Sequence, residues 1–276
     1  MTVFGCGSSS HSMTSGQSTT PAPQPSYSMN GNWDFLATSS KYAGVILEMG
    51  GILTSTGNNV AGTLFVGNVK GASCFSLLQP VPVTGTISNS GSVTVASSAI
   101  NNQIITFTGN LTAGGSSVTG ATYSVSSGTG STQGCAAGDQ GNVAASVAFP
   151  LSSTYTGNIT SQSTGDVFPA TANILTQTAT FDTAPYLTLA GTISVSGSSC
   201  FTKENLTPGL QAGGGVYNVV FGNELLFIVP VGGTASSQNI AIFATIANGG
   251  SVLNAEYAYG GGLCGDDIGA GTLTAQ

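Results

Sequence analysis

The 276-residue chain has no arginine, three lysines (Lys41, Lys70, Lys203), a single histidine (His11) and one tryptophan (Trp33). Only 5% of its residues are charged, against roughly 25% in average soluble chains. Without Arg there is no bidentate donor for phosphate or guanine, and a formal charge of -7 repels polyanions further, so nucleic acid is excluded as a partner. No apolar run approaches the ~20 residues of a membrane-spanning helix. A lone His removes the base of a Ser-His-Asp triad. The five Cys stand isolated, without the close Cys-x-x-Cys or Cys/His spacings of zinc sites, and no metal or cofactor is expected.

Ser, Thr, Asn and 41 Gly take the place of charge, while 40% of the residues are hydrophobic. Polarity therefore comes from hydroxyls and amides, and enough Val, Ile, Leu and Phe remain to bury a core. At ~150 residues per domain, the length predicts more than one domain.

One stretch is written twice. Val60-Ala61-Gly62-Thr63-Leu64-Phe65-Val66, followed by Gly71-Ala72-Ser73-Cys74-Phe75, returns as Leu189-Ala190-Gly191-Thr192-Ile193-Ser194-Val195, followed by Gly197-Ser198-Ser199-Cys200-Phe201. Further on, Ile104–Phe107 and Ala121-Thr122-Tyr123 return as Ile240–Phe243 and Ala255-Glu256-Tyr257. Each copy then carries a Cys and an Asp-bearing turn: Cys135 with Asp139, and Cys264 with Asp266 and Asp267. The openings pair Asn30-Gly31-Asn32-Trp33 with Thr156-Gly157-Asn158-Ile159. These matches predict two homologous domains, residues 30–150 and 151–276.

Within each copy, short runs alternate apolar and hydroxyl residues between Gly- and Asn-rich breaks. Val81–Ile87, Ser92–Ala96, Ile104–Leu111 and Val118–Val125 are examples. Period-two alternation with a turn signal every ten or so residues predicts an antiparallel meander, and no helix is expected. The fold class is therefore all-β: two tandem meanders of about eight strands each. Closing each into a barrel removes exposed edges and is preferred over a two-sheet sandwich.

Residues 7–29 are rich in Ser, Thr, Gly, Gln and Pro without hydrophobic periodicity, which predicts a disordered tether. At its head, Val3-Phe4-Gly5-Cys6 resembles the cleavage site of bacterial lipoproteins, with an apolar residue three before the Cys and a small one just before it. The resemblance implies that residues 1–5 are the remnant of a signal peptide and that Cys6 carries lipid. It further implies an anchor in the cell envelope, in the outer membrane or at the cell surface rather than the inner membrane.

Cysteine arithmetic agrees with export. Cys74 and Cys135 hold the same relative places as Cys200 and Cys264, so one disulfide within each copy is the simplest pairing, worth ~4 kcal/mol each in the chain-entropy model. Cys6 is the odd one left over.

For acid chemistry the candidates are Asp34, Glu48, Asp182, Glu224 and Glu256. Glu48 aligns with Gln177 and Glu256 with Thr122, so the copies share no acid pair, and these side chains are expected to be solvated strand and turn residues. Asp139 and Asp266/Asp267 do recur, as turn-capping residues or, with more oxygens, a calcium loop. Trp33, Tyr123 and Tyr257 are either core residues or an aromatic platform for ligand.

Gly31-Asn32-Trp33 at the head of an eight-stranded meander resembles the calycin barrels, the lipocalins and avidins, in which a Gly-x-Trp on the first strand closes the barrel floor. The expected function is a non-catalytic binding or structural role in the envelope. The alternatives are carriage of a small apolar ligand inside the barrels, and an adhesin or glycan-binding module.

Overall fold

The computed structural model describes residues 27–276 except 45, 71–74, 101, 127–137, 180–185, 198–202, 207–208, 211–215, 231–238 and 260–265. All five Cys, with the proposed lipid site and both disulfides, lie outside the described residues, as do His11 and Asp182.

Eight antiparallel strands close the first barrel: β1 (Gly31–Ser39), β2 (Ile46–Thr56), β3 (Asn59–Lys70), β4 (Pro80–Ile87), β5 (Ser92–Ser97), β6 (Ile105–Leu111), β7 (Ser117–Val125) and β8 (Gln140–Val147). They follow in chain order, and β8 returns to β1 with Trp33 opposite Val147 and Ser39 opposite Gly141. Alternation decides which side chains fill the interior. Trp33, Phe35, Ala37, Leu47, Met49, Leu64, Val83, Val95 and Phe107 point inward and are buried, and the rings of Phe35 and Phe107 meet at 4.9 Å.

The second barrel opens with β9 (Thr154–Ser161), β10 (Val167–Ala179) and β11 (Leu187–Val195). Beside β11 lies β12 (Lys203–Leu206), and β13 (Gly209–Leu210) pairs only with β14 (Val216–Tyr217). The ring continues through β15 (Val219–Phe221), β16 (Glu224–Pro230), β17 (Asn239–Ala247), β18 (Val252–Tyr259) and β19 (Asp267–Ala275), which returns to β9. The pairing of β10 with β11, and of β11 with β15, closes it. One 3-10 turn, Asn248–Gly250, joins β17 to β18 and is the sole helical segment among the described residues.

The duplicated stretch forms β3 and β11. Val60, Leu64 and Val66 in one, and Leu189, Ile193 and Val195 in the other, point into their barrels, so the echo is a repeated inward face. The two openings align differently from the sequence match. Ser39 faces Gly141, two residues after Asp139, and Ser161 faces Gly269, two residues after Asp267. In that register the partner of Trp33 is Tyr155, four residues before Ile159, and both rings are fully buried. Gly-Asn recurrence misleads here because Gly and Asn are common throughout the chain.

The register exposes a shared lock. In the first barrel Tyr123 Oη donates to Asp139 Oδ2 at 2.6 Å and Ser39 Oγ donates to Asp139 Oδ1 at 2.5 Å. In the second, Tyr257 Oη donates to Asp267 Oδ2 at 2.6 Å and Ser161 Oγ to Asp267 Oδ1 at 2.9 Å. Each buried carboxylate thus ties the first, seventh and eighth strands of its ring together where the sheet closes. Burial pushes the Asp267 carboxyl upward, but bonds from Tyr257, Ser163 and Ser161 outweigh it and hold it down at about 2. Each opposite barrel end is stoppered by the chain entering β1 or β9. Gly115 (φ +70) and Gly250 (φ +93) lie so close beneath it that a Cβ would sit 2.4 Å from Ser28 O and 2.0 Å from Pro150 O.

Replacing either lock carboxylate leaves a buried tyrosine and its serine partner with a weaker acceptor. Asp139→Asn should lower the unfolding free energy by about 1.5–3 kcal/mol, the range for hydrogen bonds to charged groups, read from urea denaturation. The Asp267 contribution is complete above its ordinary pKa of 3.8 and is lost as the pH falls toward about 2. The difference in stability between wild type and Asp267→Asn should therefore shrink over that window.

Candidate functional site

The seam between the barrels is built around one tight turn. Phe221 pairs with Glu224, leaving Gly222-Asn223 as a two-residue hairpin loop between β15 and β16. Gly222 has φ +58, which suits the first position of a type II′ turn. The turn presses against the outer wall of the first barrel. Gly222 N–H donates to Asn32 Oδ1 at 2.6 Å and Asn32 Nδ2 donates back to Gly222 O at 2.9 Å. Asn223 donates through its backbone N–H to Asp34 Oδ1 at 3.3 Å and through Nδ2 to Asp34 Oδ2 at 3.1 Å. Its own Oδ1 accepts from the Phe149 N–H at 2.9 Å. Beneath the turn lies Gly50, where a Cβ would come within 2.4 Å of Gly222 Cα and N. Beside it, Phe65 of the first barrel meets Phe221 at 5.5 Å and Tyr186 at 5.8 Å.

Three carboxyls converge at this seam. Asp34 on β1 and Glu48 on β2 point outward from the first barrel, where the second covers them, and Glu224 begins β16; all three are buried. Glu48 and Glu224 are neighbours across the seam: each acts on the other's carboxyl, and a Cβ on Gly67, next to the Glu48–Asn68 pairing, would sit 2.5 Å from Glu224 Cγ. Thr245 Oγ1 donates to Glu224 Oε1 at 3.1 Å. Burial, then the neighbouring Glu48 charge, lifts Asp34 to about 7 against the two bonds from Asn223. Burial, then Glu48, lifts Glu224 to about 8. Glu48 is raised by burial too, although its hydrogen bond with Glu224 works the other way. No lysine is among the groups acting on them. Two neighbouring carboxyls in a largely buried site cannot both ionise cheaply, which favours one proton shared between them.

Side by side across the seam, with both carboxyls raised by burial, Glu48 and Glu224 can hold a proton between them. Along the same seam a cleft of about 720 Å³ opens between the barrels. Lys70, Leu77 and Leu78 line it from the first, and Phe243, Thr245, Asn254, Glu256 and Thr272 from the second, with Glu224 in its wall. Inside the barrels, the spaces among the described side chains measure about 20 Å³ and 10 Å³.

No protein-family model matches the chain, and no curated protein is detectably similar to it in sequence.

The expected site residues separate into three groups. Trp33, Tyr123 and Tyr257 are buried barrel residues; the tyrosines serve the Asp139 and Asp267 locks, and the Trp33 indole N–H has no acceptor among the described residues. Asp34, Glu48 and Glu224, expected to be solvated, are instead buried because the barrels pack over them, while Glu256 is exposed on the cleft rim. Asp139 and Asp267 are held by Ser and Tyr side chains, and no group of three or more His, Cys, Asp or Glu poised for a metal occurs among the described residues. Sequence reading missed Asn32, Gly50, Gly222 and Asn223. The available signal was that the acids at positions 34, 48 and 224 break the repeat, which marks surfaces that differ between the copies.

Gly50→Ala should separate the barrels without unfolding either, because its Cβ would collide with the backbone of the Gly222 turn. Small-angle X-ray scattering should report a larger radius of gyration for this variant, with an unchanged far-ultraviolet circular dichroism spectrum.

Proposed function

We propose that this is an exported, lipid-anchored envelope protein that binds a glycan non-catalytically in the cleft between its two barrels. The observation that carries the reading is where the space lies: about 720 Å³ between the barrels against about 20 Å³ and 10 Å³ among the described side chains inside them. Small-ligand sites usually occupy about 300–1,000 Å³, a range that includes the cleft. A carrier holding its ligand inside a barrel would need the buried rings of Trp33, Phe35 and Phe107 to give way.

The lining suits a hydroxylated ligand. Thr245, Asn254 and Thr272 offer uncharged donors and acceptors, and Glu256 adds a carboxylate acceptor. Phe243 is 41% exposed, directly opposite Glu256 on the neighbouring strand, and gives a flat apolar face of the kind a sugar ring can cover.

The envelope location rests on Val3-Phe4-Gly5-Cys6, on the Ser/Thr/Pro-rich tether after it, and on four further Cys placed alike in the two copies. Lipid on Cys6 would hold the barrels at the outer membrane or cell surface, and the pairs Cys74–Cys135 and Cys200–Cys264 would form outside the reducing cytoplasm. The eight-stranded closed rings match the calycin architecture, and a distant kinship with that group is part of this reading.

Two measurements check it. Intact mass of protein from its host's membranes should show loss of residues 1–5 with an acyl-sized increment, and four thiols that appear only on reduction. Calorimetric titration with solubilised cell-envelope oligosaccharides should give binding that weakens at least about tenfold, or 1.4 kcal/mol, in Phe243→Ala. An apolar probe bound equally by wild type and Phe243→Ala, with no response to sugar, would return the reading to carriage.

A further inference from the structure

The carboxyl pair spans the seam between the two barrels, beside the contacts of the Gly222-Asn223 turn. Glu48 belongs to the first barrel and Glu224 to the second, and each is buried by the docking itself. Gly67, on β3, lies so close that a Cβ there would sit 2.5 Å from Glu224 Cγ, so Glu224 has little room to withdraw from Glu48 while the barrels stay docked. We propose that loss of the shared proton from the Glu48–Glu224 pair releases the second barrel from the first, so that pH sets how tightly the seam, and the cleft along it, is closed.

The groups around the pair support one sign of effect. From β1 comes Asp34, a third acid, and from β18 comes Glu256, exposed on the cleft rim. Among the described residues, Lys70 at the end of β3 is the one positively charged side chain lining the cleft, and it is exposed. β15 and β17 contribute apolar residues and Thr245, while Tyr186 packs on Phe65 and stays protonated because burial raises it further. Among the described residues no buried group at the seam is cationic, so ionisation of the pair places two repelling charges beside each other in a largely buried site.

The direction follows from the raised carboxyls. A group protonated more readily in the docked state contributes its full stabilisation below its ordinary pKa, 4.5 for Glu224, and loses it as the pH rises through its docked value of about 8. Asp34, lifted to about 7 by burial and Glu48, acts in the same sense over a narrower range. Docking is thus tightest in acid and weakens toward mildly alkaline pH. The conclusion does not depend on what, if anything, occupies the cleft.

The Gly222 N–H, which donates across the seam to Asn32 Oδ1, is the reporter. Its hydrogen-exchange protection, corrected for the intrinsic pH dependence of exchange, should fall at least about tenfold between pH 5 and pH 8.5 in the full-length protein. Amides of β5 and β6, within the first barrel, should hold their protection. In Glu224→Gln and in Glu48→Gln the neutral amide replaces one acid, so only the smaller Asp34 contribution remains and the fall at Gly222 should be much smaller than in wild type. Three results overturn the proposal: wild-type protection that does not change, a fall of equal size in both variants, or a matching fall in β5 and β6 that marks general unfolding.

Discussion

Everything in this molecule depends on the return of the last strand of each meander to the first. An eight-stranded sheet left open would expose two edges, and this chain has little charge with which to blunt them. Closure removes the edges, and at each closing point one buried aspartate fastens three strands through a tyrosine and a serine. The carboxylate can afford burial there because the hydroxyls that surround it are donors, and a hydrogen-bonded anion is stable in a site where a bare one is not. The same chemistry explains why Ser161 and Ser39 matter although neither stands out in a chain so rich in serine.

Among the described residues five carboxyls are buried, in a chain that has ten, an unusual use of so scarce a residue type, and their environments oppose one another. Asp267 is surrounded by donors and is held ionised. Glu48 and Glu224 face each other, with Thr245 as the one side-chain donor bonded to Glu224 among the described residues, and share a proton. Acid therefore weakens the barrel lock, while alkali weakens the seam. A chain with no arginine and few lysines has no cation to place between two acids, so its interface acids must share protons or accept from amides, as Asp34 does from Asn223.

The architecture was legible because barrels leave a strong trace. Inward positions alternate, turns are Gly- and Asn-rich, and the doubled Val60–Val66 and Leu189–Val195 stretch preserved its inward faces. Tyr123 with Asp139, and Tyr257 with Asp267, were visible as recurring residues, but their contact was not, since it depends on how β7 and β8 are registered. The openings were aligned incorrectly because Gly31-Asn32 and Gly157-Asn158 look alike, whereas the real equivalents, Trp33 and Tyr155, share only size and burial. The seam was hidden for a different reason. Burial of Asp34 and Glu48 comes from a body far along the chain, and no local pattern distinguishes an outward acid facing water from one facing another domain.

Duplicated barrels raise a problem of termination. A turn on one copy that fits a wall on the other is a heterologous contact, and if both copies carried both surfaces the contact could repeat without closing. Here the surfaces have been divided. The wall of the first barrel has Asn32 and Asp34, which receive the Gly222-Asn223 turn, while the second barrel has Thr154 and Thr156 at the equivalent places by register. Conversely, the β4–β5 connection that corresponds to the docking turn is the longer Ser88–Gly91 loop, tied to itself through Ser88 Oγ, Ser90 and Ser92. The first barrel can receive but has no matching turn to offer, and the second can insert but has no matching wall. Divergence at these few positions limits the contact to one pair, and it also accounts for the acids at the seam having no counterparts in the other copy.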